Sequence, residues 1–199
     1  MQNNVNFVTD GSKVYRLGGN DWYAVEQDDD KVMLVDTDCK IGDKNLWTWW
    51  SDPYSGKEGE NGQCVLDYCN NLIDKYFGKV KHVIIPRNVD AGTGELENAY
   101  MWPMSRQEFI DNKVIGGKIA CNSNGNVCNV WTRTFSGIYG GSDDPCPCAW
   151  YVYGGGDLSD SFNVYNMFHV APAFYLRKSA IDHINDDGEI VLKPEDNID

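Results

Sequence analysis

The chain has 199 residues, 42% apolar and 24% charged, proportions of an ordinary folded protein that exclude intrinsic disorder over most of its length. Its formal net charge of -13, with no clustered stripe of Lys and Arg, argues against nucleic acid as a partner. No apolar run approaches the roughly 20 residues a membrane-spanning helix needs, and the N-terminal MQNNVNFVTD has neither the basic nor the apolar region of a signal peptide, which predicts a soluble chain without membrane insertion.

One core of substantial size fits this length, so residues 1–199 are expected to form a single domain. The polar stretch Met1 to Asp10 and the acidic Lys193 to Asp199 read as frayed ends. Between them, Lys13 to Tyr23 (KVYRLGGNDWY), Val25 to Glu26 and Lys31 to Asp36 (KVMLVD) are short β-branched and aromatic runs broken by GGN and DDD turns, the pattern of an antiparallel meander. Asp36-Thr-Asp38 superficially opens a calcium loop. Lys40 and Ile41 then fall where that pattern wants an oxygen ligand and a Gly, so a hairpin turn is the better reading.

Leu46 to Trp50 (LWTWW) is followed by a polar, Gly-rich loop from Ser51 to Gly62. In CVLDYCNNLIDKYF, residues Val65, Tyr68, Leu72, Ile73 and Tyr76 recur at three- and four-residue spacing, which predicts a helix of about three turns that Gly78 stops. His82 to Pro86 reads as a short strand and Asn88 to Asn98 as a polar loop. Ser105 stands three residues before Glu108, the spacing of a capping box, at the start of a second helix over Met104 to Asn112. Further strand-like pieces are Ile119 to Cys121, Asn129 to Thr134, Ala149 to Tyr153 and Ala171 to Leu176, with Gly-, Ser- and Asp-rich loops between them and Glu189 to Leu192 closing near the N-terminal strands. The class expected is α+β, an irregular antiparallel sheet carrying two helices.

Thr134 to Val170 stands apart in composition. The chain holds about 24 Lys, Glu and Gln residues; an even spread would put roughly four or five of them in this window, and it has none. Ser, Gly, Asp, Tyr, Phe, Asn, Cys and Pro fill it instead. Such a mixture suits a binding face, because aromatic rings give contact area at low entropy cost and small polar groups give adaptable hydrogen bonds. Every residue of the window except Trp150 and Met167 can be encoded by a codon ending in a pyrimidine, whereas Lys, Glu and Gln cannot. Adenine-directed randomisation of Asn codons would leave this record, and so would a Gly-rich surface loop that happens to lack long charged side chains.

Fixed landmarks flank and interrupt the window: WTRT at Trp131 to Thr134, AWYVY at Ala149 to Tyr153 and VAPAFYL at Val170 to Leu176. In type and spacing they resemble the C-terminal signature of C-type-lectin-fold variable proteins of diversity-generating retroelements, related to the formylglycine-generating-enzyme-like C-type lectins. VLDYCNNLIDKYF and PMSRQEF resemble the helix-bearing half of the related family with Trp-Arg-Ser and Arg-Pro-Ala-Leu motifs, so the likeness spans most of the chain. Two departures stand out: Thr132-Arg133-Thr134 where Leu-Arg-Ser is common, and Val170-Ala171-Pro172 where Val-Arg-Pro is common.

The resemblance implies a C-type-lectin-like fold with a variable region over about 131–176, no enzymatic activity, and a protein or cell-surface ligand, with a phage tail or a cell surface as the home. A face that tolerates massive substitution must contribute little to folding. The supporting role therefore goes to Trp131, Arg133, Trp150, Val152, Val164, Val170, Pro172, Phe174 and Leu176. The candidate ligand-binding positions are Phe135, Ser136, Ile138, Tyr139, Ser142, Asp143, Asp144, Cys146, Cys148, Tyr151, Tyr153, Asp157, Ser159, Ser161, Tyr165 and Phe168, with His169 in either set.

Other chemistry fits less well. Cys146-Pro147-Cys148 lacks the spacing of a zinc pair, and accidental thiols on a varied loop or a Cys121 to Cys128 disulfide account better for these cysteines. The Glu-Pro-Asn and Trp-Asn-Asp tripeptides of calcium-dependent lectins are absent, so no metal or other cofactor is expected. His82, His169 and His183 sit in no nucleophile motif. An invariant adhesive or structural domain of the same fold is the alternative function.

Overall fold

The structure, a computed structural model, describes residues 5–51, 63–91, 95–120, 128–139 and 146–197. The elements in chain order are β1 (Tyr15–Leu17), β2 (Asn20–Gln27), β3 (Lys31–Asp36), β4 (Lys40–Ile41), β5 (Lys44–Asn45), β6 (Trp47–Trp49) and α1 (Gln63–Tyr76). There follow β7 (Ile84–Ile85), β8 (Arg87–Asp90), β9 (Glu95–Ala99), β10 (Trp102–Pro103), α2 (Arg106–Asp111) and α3 (Lys113–Ala120). The C-terminal part holds β11 (Val130–Tyr139), β12 (Cys146–Tyr153), β13 (Asp157–Asn163), β14 (Met167–His169), β15 (Pro172–Arg177), β16 (Ile181–Ile184) and β17 (Ile190–Leu192).

The fold is α+β, and its strands are mostly antiparallel. One sheet runs β1-β2-β3-β15-β10, with β7 also on β15; the other runs β13-β12-β11-β14-β6. The meander of β1 to β3 forms because its apolar runs are separated by turns that satisfy their own backbone: the Asp28 carboxylate accepts the amides of Asp30 and Lys31, each at 2.9 Å. β3 lies between β2 and β15 and is buried along all but its first residue, which is why KVMLVD reads as a continuous apolar run. Asp36, itself buried, accepts the amides of Asp38 (3.1 Å) and Lys40 (3.2 Å) and so closes the turn into the β4–β5 hairpin. Burial, then repulsion from Asp38, pushes its carboxyl well above the usual range.

Of the expected apolar stripe of α1, Val65, Leu72 and Ile73 are buried and Tyr68 and Tyr76 are half-buried against the core, while Leu66 and Cys69 are buried beside them. α2 carries the capping box in full: Ser105 Oγ accepts the Glu108 amide at 3.1 Å, and the Glu108 carboxylate accepts the Ser105 amide at 2.7 Å. The C-terminal strand closes near the N-terminus, through a bridge between Glu189 and Arg16 and a hydrogen bond from the Arg16 amide to Gly188 O at 3.0 Å.

Four expectations need correction. The described residues hold three α-helices rather than two, and Ile119 lies in α3 instead of a strand. Gly116 and Gly117 hid this helix, because glycine is a poor helix former. Their role is close approach: a Cβ on Gly117 would sit 2.9 Å from Gly155 O, and one on Gly116 2.9 Å from the Phe109 ring. The polar stretch from Asn88 to Asn98 contributes to a hairpin, β8 on β9, pinned by buried Val89 and Ala99. Residues from Val5 to Asp10 are docked rather than frayed, since Phe7 is buried against Tyr15 (4.8 Å) and its backbone exchanges two hydrogen bonds with the Gln27 amide side chain, at 3.1 and 2.7 Å. Asp157 to Asn163, expected as loop, is strand β13. Among the described residues no helix is long and apolar enough to cross a membrane.

Candidate functional site

The second sheet is built on two tryptophans that reach across it. Trp50 Nε1 donates to Thr132 O at 2.9 Å, and Trp131 Nε1 donates to Thr48 O at 3.2 Å. Both side chains are fully buried, so each indole N–H needs a partner and each finds a backbone carbonyl of the neighbouring segment. These bonds tie the Leu46 to Ser51 segment to the first strand of the varied window. Arg133, 6% exposed, makes a bidentate pair with Glu108 (2.5 and 3.0 Å) and donates to Pro103 O at 2.9 Å. Burial pushes the Glu108 carboxyl up, but the hydrogen bonds and charge of Arg133 outweigh it and hold the group below its usual value. The window thus leaves a strand whose root is locked to α2.

On this frame the window forms the antiparallel ribbon β11–β12–β13 and returns through β14. Ring contacts connect five aromatic side chains. Phe168 packs on Trp131 (4.4 Å), Phe162 (4.7 Å) and Tyr151 (5.2 Å), and Tyr151 reaches Tyr153 at 6.1 Å. Exposure grades outward through this cluster, from buried Trp131 and Phe168, through half-buried Phe162 and Tyr151, to Tyr153 at 41% exposed. At the far end of β11, Ile138 and Tyr139 are exposed at 52% and 45%. The Tyr139 hydroxyl donates to Asp160 at 3.1 Å and meets Ser136 Oγ at 3.0 Å.

Of the candidate ligand-binding positions, Ile138, Tyr139, Tyr153 and Asp157 are exposed, while Phe135, Ser136, Tyr151, Ser159 and Tyr165 are half-buried. Phe135 leans on Trp50 at 5.7 Å, and Asp157 faces Lys113 at 3.2 Å. Two positions are corrected. Cys148 is 2% exposed and Phe168 9% exposed, so both belong to the support. In the β11–β12 pairing the register shifts between Phe135 and Gly137, opposite Ala149 and Cys148, and an irregularity of this kind interrupts the in–out alternation where Cys148 and Ala149 both turn inward. Ser142, Asp143 and Asp144 lie outside the described residues, as do the side chains of Cys146 and Ser161.

The supporting set is buried, namely Trp131, Arg133, Val152, Val164, Val170, Pro172, Phe174 and Leu176, with one exception. Trp150 is half-buried and carries the Arg106 guanidinium on its ring face at 4.3 Å. His169 is half-buried and stacks on Trp47 with ring centroids 4.0 Å apart. Its burial pulls the imidazole below its ordinary pKa.

Sequence reasoning missed Trp47 (43% exposed) and Met167 (46% exposed), which flank β14 and its neighbour β6. Trp47 lies far from the window in sequence, and only strand pairing brings it there. Met167 and Trp150 are the two residues whose codons cannot end in a pyrimidine, so the coding signal marks them as fixed without showing that they are accessible.

The remaining candidate chemistry is dispersed. His82 faces Glu195 at 3.6 Å and His183 faces Asp182 at 2.8 Å. The Cys39 and Cys128 thiols are buried in the core, and Cys128 Sγ lies 3.4 Å from Ala120 O and 3.6 Å from Ile119 O; Cys121 lies outside the described residues. No group of three or more His, Cys, Asp or Glu among the described residues is placed to hold a metal ion.

Compared with known proteins, the chain matches no family model, no curated protein and no solved structure.

Proposed function

We propose that this chain is a ligand-binding protein of C-type-lectin-like fold that presents a hypervariable surface on a stable scaffold, diversified by a retroelement and used for receptor recognition on a phage tail or cell surface. One observation carries the reading. Among the described residues, the supporting Val152, Val164 and Val170 of the window, with Trp131 and Arg133 at its root, are buried, and pyrimidine-codon positions (Ile138, Tyr139, Tyr153 and Asp157) supply most of its exposed side chains. Variation there would change contact chemistry while leaving the packed core of the ribbon in place.

The Trp50 and Trp131 anchors and the Arg133–Glu108 pair support the reading further, because they place folding energy at the root of the ribbon and not at its surface. Exposed tyrosines with neighbouring Ser and Asp form the mixture that binds diverse partners with few specialised contacts.

The test is genomic. A near-identical copy of the segment coding for Thr134 to Val170, carrying Asn codons at the exposed positions and lying beside a reverse-transcriptase gene, is the expected finding. A locus with neither the copy nor the transcriptase would favour an invariant adhesive domain.

A further inference from the structure

We propose that the contact between His169 and Trp47 is an acid-sensitive clasp: protonation of the imidazole weakens the pairing of β14 with β6 and loosens the window where it returns to the frame. The device belongs to the fold, whichever ligand the window takes.

β14 is three residues long and holds two partners. His169 bridges Val130 of β11 on one side and pairs with Trp47 of β6 on the other. Its amide donates to Asn129 O at 3.0 Å, and its ring centroid lies 4.0 Å from that of Trp47. Phe168, the residue before it, packs on Trp131, Tyr151 and Phe162. A shift at His169 therefore reaches the aromatic packing beneath the ribbon.

A charge on this ring is poorly served. The imidazole is half-buried, so ionisation costs solvation. Among the described residues the charge that acts on it is the Lys40 ammonium of the β4–β5 hairpin, which opposes a second cation and has Asp38 as its own partner at 3.6 Å. β6 carries no ionisable side chain. The charged residue of β11, Arg133, is paired with Glu108, and burial keeps Tyr68 of α1, the helix packed on β6, neutral.

The Trp47 face and the Asn129 carbonyl favour a cation, but burial outweighs them and holds the imidazole below its ordinary 6.5. The unfolded chain thus takes up the proton first, and stability declines as pH falls through 6.5 toward the folded-state value.

The experiment follows the His169 imidazole and the backbone amides of the full chain by nuclear magnetic resonance from about pH 8 to about pH 5.5. His169→Phe, which keeps a ring against Trp47 and removes the titration, is measured beside it. The imidazole is expected to titrate below 6.5. Exchange of the His169 and Val170 amides, corrected for the intrinsic effect of pH, should quicken at the acid end in the parent and not in the variant. The parent's melting temperature should fall relative to the variant's over the same range. Asp36, whose raised carboxyl acts in the opposite direction, is common to both proteins, so the difference isolates His169.

An imidazole that titrates at or above 6.5, equal amide protection at both ends of the range, or melting temperatures that change in parallel would each overturn the proposal. The first two are read on the parent chain and stand even where the variant fails to fold. None of them touches the retroelement reading, which sequence variation at the locus decides.

Discussion

Arg133 at the root of β11 and Glu108 in the first turn of α2 form a bidentate, almost fully buried ion pair, and the same carboxylate closes the capping box with Ser105. One side chain therefore caps a helix and anchors the varied ribbon. Removing Glu108 leaves buried Arg133 without its carboxylate, and removing Arg133 leaves the partly buried Glu108 with only Arg87, at 3.6 Å, as counter-ion. We expect Arg133→Met to destabilise the protein by about 3 kcal/mol or more, measured by denaturant unfolding; a change within about 0.5 kcal/mol would contradict the role assigned to the pair.

The pair also sets an acid limb. Because the folded-state pKa of Glu108 is lowered from its ordinary 4.5, its contribution to stability is complete above that value and is lost as pH falls through the lower folded value. Glu108→Gln should therefore flatten the dependence of stability on pH below about 4.5 while lowering stability at neutral pH. An unchanged acid limb in the variant would exclude Glu108 as its source.

The structure divides the tyrosines of the window. Tyr139 and Tyr153 are exposed, whereas Tyr151 and Tyr165 pack partly against the core. The double change Tyr139→Ser with Tyr153→Ser should leave the melting temperature nearly unchanged. Tyr151→Ser should cost on the order of 1 kcal/mol through lost ring contacts, and Trp131→Ala about 3–5 kcal/mol. Calorimetry of the four proteins checks this order, which a large loss from the first pair would reverse.

Gly156 is held at φ +88°, and a Cβ there would meet Gly117 N at 2.7 Å and Lys113 O at 2.8 Å. Gly156→Ala should cost at least about 2 kcal/mol, since both backbone strain and a clash with α3 oppose it. Gly19, also at positive φ but with open space around it, should tolerate alanine better, so the difference between the two variants isolates the clash.

Cys39 and Cys69 are fully buried, and burial pushes both thiols well up. An alkylating reagent should modify them only after unfolding, as read by peptide mass spectrometry. Rapid native-state labelling of Cys39 would contradict the packing of the Asp36–Ile41 turn against the core.

Much of this was legible in the sequence, because strong local signals agree with the tertiary structure. The β-branched and aromatic runs of β1 to β3, the stripe of α1 and the Ser105–Glu108 spacing each encode an element on their own. What escaped depends on remote contacts. α3 is concealed by two glycines whose purpose is the approach of Gly155 and Gly156. Phe7 is fixed by Gln27, and Trp47 joins the candidate face by pairing with His169. Cys148 turns inward beside a register shift of the β11–β12 pairing that no residue type in CPCAWYVY announces. Trp150 looks like core by its type and is instead a half-buried platform for Arg106.

The central claim is that the window's exposed positions vary while its buried frame does not, and deep sequencing of this locus across a population of the source tests it directly. The account predicts substitutions concentrated between Phe135 and His169, at Asn-derivable codons such as those of Ile138, Tyr139, Tyr153 and Asp157, with Trp131, Arg133, Val152 and Val164 constant. A uniform sequence, or substitutions scattered equally over the buried frame, would contradict it.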